Sequence, residues 1–126
     1  MNIKPARKKK VLAVDDEVDA LMIVKRVLEA NGYEVITAFD GEEALEKIKS
    51  AAPDAVILDI MLPRLNGEEV CKSIRNDPAL CKLPVIMLTG KATDADRIVG
   101  RVIGADVYIS KPFNLEDLIS AVSKIA

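Results

Sequence analysis

The sequence predicts an α/β fold, in which helices cover both faces of a five-stranded parallel sheet. Five short apolar runs alternate with five stretches whose apolar residues recur at helical spacing. Strands that are separated by single helices pair in parallel, through right-handed crossovers. The 126 residues are enough for one domain, and its core must be aliphatic, because 50% of the residues are apolar while only two Tyr, two Phe and no Trp occur.

The predicted strands cover residues 11–14, 34–37, 56–59, 84–88 and 107–110. The third strand runs from Val56 to Asp59 with only apolar residues before the acid, and the chain then turns at Pro63. A short β-branched run bounded by turn signals is typical of a strand that is buried on both faces. We therefore expect Asp59 to lie where this strand leaves the core.

The predicted helices combine capping residues with one apolar stripe each. Asp40, Asn66 and Asn114 are placed to cap the second, third and fifth helices. The fourth helix, over 93–103, is the least regular, because Gly100 inside it costs up to about 1 kcal/mol relative to Ala. The inward positions of the other helices are Leu21, Val24 and Leu28; Ala44, Leu45 and Ile48; Val70 and Ile74; and Leu115, Leu118, Ile119, Val122 and Ile125.

Charge and composition exclude several classes of function. The net charge is −2 and the pI is near 5.2, whereas a DNA-binding face normally makes a domain clearly basic, so we expect no direct contact with nucleic acid. The absence of His excludes Ser-His-Asp triads and HExxH zinc sites. Cys71 and Cys81 do not form a CxxC pair, and we expect reduced thiols without a role.

The N-terminal end is basic, with Lys4 and a run from Arg7 to Lys10. We interpret residues 1–10 as a flexible, solvated tail and residues 11–126 as the folded domain. The apolar stretch that follows the tail is too short for a signal peptide or a membrane span. The sequence therefore predicts a cytoplasmic protein that makes no membrane contact.

Polar side chains stand at the carboxyl ends of four predicted strands, where open parallel sheets bind ligands: Asp15 and Asp16, Asp59, Thr89 and Lys111. Converging carboxylates repel one another, so the arrangement requires a cation. Oxygen ligands without His or thiolate favour Mg²⁺, with Mn²⁺ as an alternative. Lys111 and Thr89 add a positive charge and a hydroxyl donor, the groups that would hold a phosphoryl group on Asp59.

Each of these residues has an ordinary explanation when it is taken alone. An Asp at a strand end is more often a cap or a turn residue, and a lone Lys is a surface residue by default. Together they resemble the receiver domains of bacterial two-component response regulators, in particular the single-domain chemotaxis regulators. The resemblance spans residues 11–126 and also rests on Pro63 and Gly67 after Asp59, on Gly90 after Thr89, and on Tyr108 before Lys111, Pro112 and Phe113.

The resemblance implies a flavodoxin-like sheet of strand order 2-1-3-4-5, an order for which a chemotaxis member of this family is a known example. It also implies that Asp59 is the phosphoacceptor. Mg²⁺ would be bound directly by Asp16 and Asp59, directly or through water by Asp15, and by the main-chain carbonyl of Met61. Lys111 would pair with the phosphoryl oxygens.

The same resemblance implies how the signal leaves the site. Thr89 would move toward the phosphoryl group and Tyr108 would swing inward behind it, which alters the face formed by the fourth helix, the fifth strand and the fifth helix. The donor would be a sensor histidine kinase or a histidine phosphotransfer protein, and the receiver of the signal a downstream protein. The chain would act as a monomer or a phosphorylation-dependent dimer, and it would catalyse only its own phosphorylation and dephosphorylation.

Two further expectations concern lifetime and surface. The resemblance also implies that the positions of Met61 and Lys91 flank the attacking water, which neither side chain would position well, so we expect slow autodephosphorylation. The fourth helix has more apolar residues than one buried stripe needs, and the excess belongs either to the core or to a partner surface: Ile98, Val99, Val102 and Ile103.

Two other functions are alternatives to a phosphorylation switch. A Mg²⁺-dependent phosphatase of the haloacid dehalogenase type would carry a DxDxT pattern after its first strand, whereas this chain has Asp15-Asp16-Glu17-Val18-Asp19 and no room for a substrate cap. A scaffold with a vestigial site would not need the acid pair, Thr89 and Lys111 intact. A P-loop is excluded, because no GxxxxGK[ST] occurs. A stand-alone regulator is slightly favoured over a domain of a longer protein.

Overall fold

The computed structural model describes residues 8–89 and 104–126. Its strands are β1 (Lys10–Val14), β2 (Glu34–Ala38), β3 (Ala55–Asp59), β4 (Val85–Thr89) and β5 (Val107–Ser110). Its helices are α1 (Val18–Ala30), α2 (Gly41–Ala51), α3 (Gly67–Asn76) and α4 (Leu115–Ile125). The helix labelled α4 is the fifth of the helices predicted from the sequence. The helix predicted over 93–103 lies outside the described residues, as do Lys91 and the four apolar residues at 98, 99, 102 and 103.

The five strands form one parallel sheet of order β2-β1-β3-β4-β5, as predicted. The register pairs Val14 with Leu58 and Thr89 with Ser110. Every strand therefore ends at the same edge of the sheet. The residues that follow β1 and β5 are brought to the end of the central strand β3, where Asp59 is the last residue.

The core has two layers, one on each face of the sheet. The first packs α1 and α4 against the sheet through the side chains of Leu21, Val24, Leu28, Leu118 and Val122, together with alternate residues of β1. The second packs α2 and α3 on the opposite face through Ala44, Ile48, Val70, Cys71 and Ile74. Alternate residues of each strand point to opposite faces, so the apolar residues of β1, β3 and β4 supply both layers.

One residue of the predicted tail belongs to the sheet. Lys10 is the first residue of β1, and its amide donates to Oδ2 of Asp54 over 2.7 Å. Its ammonium group donates to the carbonyl of Ala51 over 2.9 Å. A charged side chain can join a strand end when its head group reaches a polar partner at the edge, and the prediction that the tail extends through Lys10 is therefore wrong at this residue.

The predicted caps differ in outcome. Oδ1 of Asp40 accepts from the amide of Glu43 over 2.8 Å, and Oδ1 of Asn66 accepts from the amide of Glu69 over 3.0 Å. Asn114 occupies the cap position of α4, but its side chain makes no capping hydrogen bond within the described part of the chain. Its Nδ2 atom instead lies 3.5 Å from Oδ2 of Asp117. The prediction of a side-chain cap is wrong there, because the amide turns to a neighbouring carboxylate.

Arg75, at the end of α3, ties together the opposite edge of the sheet. Its Nε donates to the carbonyl of Gly104 over 2.8 Å and its guanidinium to the carbonyl of Leu83 over 2.6 Å. The guanidinium also pairs with Oδ2 of Asp106 at 2.9 Å, and that oxygen accepts from the amide of Val85 over 2.8 Å. These contacts hold the start of β4 beside the start of β5. None of the described helices is long and apolar enough to cross a membrane.

Candidate functional site

Asp59 lies at the end of β3, the central strand of the sheet. Helices cover both faces of β3, and the strands β1 and β4 lie on either side of it. Only 6% of Asp59 is exposed. Its Oδ1 atom accepts from the amide of Met61 over 3.0 Å. Its Oδ2 atom lies 2.6 Å from Nζ of Lys111. Both carboxylate oxygens therefore have a donor, which satisfies a group that would be costly to bury alone.

Asp15 and Asp16 meet Asp59 from the neighbouring strand. Because Val14 pairs with Leu58, Asp15 lies level with Asp59. Asp15 is buried and Asp16 is exposed. One carboxylate oxygen from each of the three acids can be chosen so that all lie within 4.8 Å of one another. This cluster of oxygen ligands could hold a metal ion.

Lys111 approaches the acids from the far side of the sheet. It follows β5 directly, and its amide donates to the carbonyl of Thr89 over 2.6 Å. The ammonium group, besides its contact with Asp59, lies 3.5 Å from Oδ2 of Asp15. Thr89 is the last residue of β4 and is 4% exposed. The pairing of β4 with β5 thus places the predicted hydroxyl donor and the predicted cation at one edge.

The electrostatics of the site favour a positive charge. Burial raises the pKa of Asp15 above its ordinary value, although the amide of Glu17 and the charge of Lys111 oppose the rise. Burial alone would lower the pKa of Lys111, but its hydrogen bond to Asp59 and the charges of Asp59 and Asp15 outweigh burial, so that the pKa is raised. Lys111 therefore stays charged at neutral pH, while ionised Asp15 is costly to keep in the fold.

The remaining predicted residues are Met61, which follows Asp59 closely, and Tyr108, which lies within β5. The side chain of Met61 is directed to solvent and is 76% exposed, while its amide contacts Asp59. The metal ligand predicted from its carbonyl stays a prediction. Tyr108 lies on β5 opposite Met87 and packs against the core layer of α2 and α3. Within the described residues, its hydroxyl is buried without a hydrogen-bond partner.

Sequence reasoning did not identify the backbone groups that hold the acids. The amide of Glu17 donates to Oδ1 of Asp15 over 2.9 Å, as the amide of Met61 does to Asp59. Any residue type offers such an amide, so the sequence carries no signal for it. Gly67 does carry one, since a Cβ atom there would lie 2.5 Å from the carbonyl oxygen of Asp59. That close approach explains why the residue that opens α3 is a glycine.

The chain matches proteins of known family along almost its whole length. The family model described as the response regulator receiver domain matches residues 11–123. The alkaline phosphatase synthesis transcriptional regulatory protein PhoP of Bacillus subtilis is 44% identical over 117 residues, which are 93% of this chain and 48% of PhoP. The chain spans about half the length of the curated relatives that it matches.

Solved structures agree with the sequence relatives. The chemotaxis response regulator CheY4 of Vibrio cholerae has a TM-score of 0.89 and 36% identity, with 95% of this chain and 100% of that chain covered. The receiver domain of Francisella response regulator 1452 has a TM-score of 0.89 and 34% identity, with 94% and 96% covered. With an acidic cluster, a lysine and a threonine at one sheet edge, this chain belongs to the receiver domain family of two-component response regulators.

Proposed function

We propose that the chain is a phosphorylation-dependent switch in which Asp59 accepts a phosphoryl group from a histidine of a partner protein. The observation that carries the proposal is the convergence of Lys111 and three carboxylates on one point. Nζ of Lys111 lies 2.6 Å from Asp59, and oxygens of Asp15, Asp16 and Asp59 lie within 4.8 Å of one another. A carboxylate in these surroundings is matched to carrying extra negative charge.

The acids are suited to Mg²⁺, since three carboxylate oxygens and no softer ligand are available. Asp15, Asp16, Asp59 and the main-chain carbonyl of Met61 would hold the ion, with Mn²⁺ as a possible substitute. When bound, Mg²⁺ neutralises charge on the transferring phosphoryl oxygens. The charged Lys111 would stabilise the phosphoryl oxygens from the side of β5, where the hydroxyl of Thr89 offers a donor.

The transfer conserves atoms and charge in a single displacement. A carboxylate oxygen of Asp59 forms a bond to phosphorus while the bond from phosphorus to the partner's imidazole nitrogen breaks. The electron pair of that bond stays on the imidazole, and Asp59 becomes an acyl phosphate. In hydrolysis a water oxygen forms a bond to phosphorus while the bond from phosphorus to the aspartyl oxygen breaks, which releases inorganic phosphate and returns the carboxylate of Asp59. The chain therefore acts on itself, and we assign it no separate substrate.

The output of the switch follows from the neighbours of Asp59. Phosphorylation adds about −1.5 to −2 charge with strong acceptor oxygens. We propose that Thr89 moves toward them and that Tyr108 follows, because its partly buried ring lies two residues along from Ser110, the pairing partner of Thr89. The altered surface would be formed by β5, α4 and the helix that the sequence predicts over 93–103, and it would contact a downstream protein. The donor would be a sensor histidine kinase or a histidine phosphotransfer protein, and the chain itself would act in the cytoplasm.

Acetyl phosphate provides a direct test of this function. The wild-type chain in Mg²⁺ should gain the mass of one phosphoryl group, and Asp59→Asn should gain none. Asp77→Asn is a matched control, because Asp77 lies at the end of α3 and its Oδ1 acceptor contact with Ala79 survives the change. No mass gain in the wild type would overturn the proposal. A gain that persists in Asp59→Asn would place the acceptor elsewhere.

The metal requirement needs its own test. Wild-type phosphorylation should fall to background in EDTA and return when Mg²⁺ is restored. Asp16→Asn should weaken Mg²⁺ binding in an NMR titration of backbone amides without unfolding the chain, because Asp16 is exposed and supports no packing. Full phosphorylation in EDTA would contradict the role that we give to the acidic cluster.

A further inference from the structure

The loop between β3 and α3 rests on the first turn of α2. Gly41 is the first residue of α2, and a Cβ atom built on it would overlap the carbonyl oxygen of Leu65. The same atom would lie 2.7 Å from both the carbonyl carbon and the Cβ of Leu65. Real Cβ atoms do not approach other atoms so closely, so this contact requires a glycine at position 41.

The opposite end of the same loop is fixed to the site. The amide of Ile60 donates to the carbonyl of Leu88 over 2.9 Å, and its carbonyl accepts from Gly67 over 3.1 Å. The amide of Met61 donates to Asp59. The loop is therefore held at two places, by the strand end that carries Asp59 and by the start of α2.

Side chains add little to the contact with α2. The ion pair between Arg64 and Glu42 spans the same junction at 3.6 Å, but its side chains are 68% and 66% exposed. An exposed ion pair of this kind contributes little to stability, because solvent screens it. The close approach of the Leu65 backbone to Gly41 is thus the feature that fixes the distance between the loop and α2.

We propose that Gly41 is a positioning residue for the phosphorylation site. It acts through Leu65 and the loop to set the place of Met61, whose carbonyl is the proposed metal ligand and whose amide holds Asp59. The inference rests on the proposed function, and it assigns to α2 a share in binding Mg²⁺ although α2 contributes no ligand. Adding one carbon at Gly41 displaces the loop and with it the Met61 carbonyl.

Two effects of Gly41→Ala oppose each other. Ala is favoured over Gly in a helix interior, and less strongly so in a first turn. The backbone of Gly41 does not have a positive φ, so Ala is not strained by its own conformation. An isolated α2 would therefore be stabilised. The overlap with Leu65 works in the other direction, and because the overlapping atom belongs to the backbone, it cannot be relieved by a rotamer change.

The test compares Mg²⁺ affinity in three folded proteins. In amide-detected NMR titrations, Gly41→Ala should bind Mg²⁺ about tenfold more weakly than the wild type, at the low end of the loss caused by displaced supporting groups. Ile48→Val is the control, because it removes one methylene from the buried face of α2 at a position seven residues after Gly41. It should lose stability and keep the wild-type Mg²⁺ affinity. Equal affinity in folded Gly41→Ala and wild type overturns the inference.

A second variant covers the case in which Gly41→Ala does not fold. Leu65→Gly keeps the carbonyl group that meets Gly41 but removes the Cβ atom beside it and gives the loop backbone more conformational freedom at this point, so it should also weaken Mg²⁺ binding. Leu80→Ala should not, because Leu80 is partly buried against the same core layer outside this loop. Unchanged affinity in Leu65→Gly overturns the inference. If the wild type itself binds no Mg²⁺ and gains no phosphoryl group, the proposed function fails, and the inference fails with it.

Discussion

Lys111 reaches Asp59 across an intervening strand. Lys111 follows β5 and Asp59 ends β3, and although β4 lies between them, Nζ of Lys111 is 2.6 Å from Oδ2 of Asp59. Only a long side chain that leans over the sheet edge can span this gap. The ammonium group consequently neutralises a buried carboxylate to which its own strand is not paired, and it contributes to the stability of the fold as well as to the proposed chemistry.

Replacing Lys111 by Met should lower the free energy of unfolding at pH 7 in EDTA by about 1–3 kcal/mol, because buried Asp59 loses its charged donor. Because the pKa of Lys111 is raised in the fold, its contribution to the free energy of unfolding is fully present below pH 10.5. This contribution is lost as the pH rises through the pKa of the folded state. Urea unfolding in EDTA and in Mg²⁺ measures the effect, and Mg²⁺ should stabilise the variant more than the wild type.

Lys72→Met is the matched control for this change, since Lys72 is exposed on α3. It should alter the free energy of unfolding by no more than about 0.5 kcal/mol. Equal stability of Lys111→Met and wild type in EDTA would show that the contact with Asp59 makes no net contribution.

Asp15→Asn should stabilise the metal-free protein at neutral pH. The pKa of Asp15 is raised above 3.8, chiefly by burial, so the native state binds this proton more tightly than the unfolded chain does. The contribution of the protonated Asp15 carboxyl to the free energy of unfolding is thus fully present below pH 3.8. It is lost as the pH rises through the pKa of the folded state. Asn keeps the oxygen that accepts from Glu17 and carries no charge.

Thermal unfolding in EDTA between pH 4 and pH 7 tests this expectation. The melting temperature of Asp15→Asn should exceed that of the wild type at pH 7, and the difference should shrink toward pH 4. Mg²⁺ should raise the melting temperature of the wild type more than that of the variant, because the variant lacks one of the three acids. A variant that is less stable than the wild type at pH 7 in EDTA contradicts the argument.

The sheet and most of the site were predictable because each depends on strong local patterns. Apolar runs identify β1, β3 and β4, whose buried faces leave few alternatives. Polar residues at the ends of parallel strands must meet at one edge, which brings Lys111 to Asp59 without any knowledge of coordinates. The predicted bounds therefore differ from the observed ones by about one residue, as at Lys10.

The contacts that sequence reasoning missed depend on distances between segments remote in the chain. In the sequence Arg75 is an ordinary charged residue near the end of a predicted helix. Its neighbours in the chain do not indicate that it forms hydrogen bonds with Gly104 and Asp106. Gly41 reads as an ordinary residue after a cap, although its contact is with Leu65. Such roles arise only after the layers are packed, so the composition of the segment itself does not encode them.

The three cap residues should respond differently to substitution. Asp40→Ala and Asn66→Ala should each lower the free energy of unfolding by about 1 kcal/mol, because each removes an oxygen that accepts a hydrogen bond from a first-turn amide. Asn114→Ala should cost clearly less, since its side chain turns to Asp117. Chemical denaturation of the three variants measures these losses in the free energy of unfolding. The comparison requires that the dependence of this free energy on denaturant concentration is the same in all three. An equal loss in all three would mean that Asn114 caps α4 in solution.

The phosphorylated protein should lose its phosphoryl group slowly. The side chain of Met61 is 76% exposed beside Asp59, and its thioether is only a weak acceptor, so it cannot hold a water in line with phosphorus. Met61→Asn adds an amide at that point and leaves the main-chain carbonyl in place. Hydrolysis should then be faster by about tenfold, a modest share of what a positioned polar group supplies in catalysis.

Loss of the phosphoryl mass with time, in Mg²⁺ after removal of acetyl phosphate, gives the two lifetimes. Met22→Asn serves as the control, because Met22 is also an exposed methionine, at 39%, but lies on α1. Its lifetime should equal that of the wild type, since the change adds the same amide without placing it beside Asp59. A wild-type half-life of seconds, or an unchanged lifetime in Met61→Asn, would show that water reaches the phosphorus without help from this side chain.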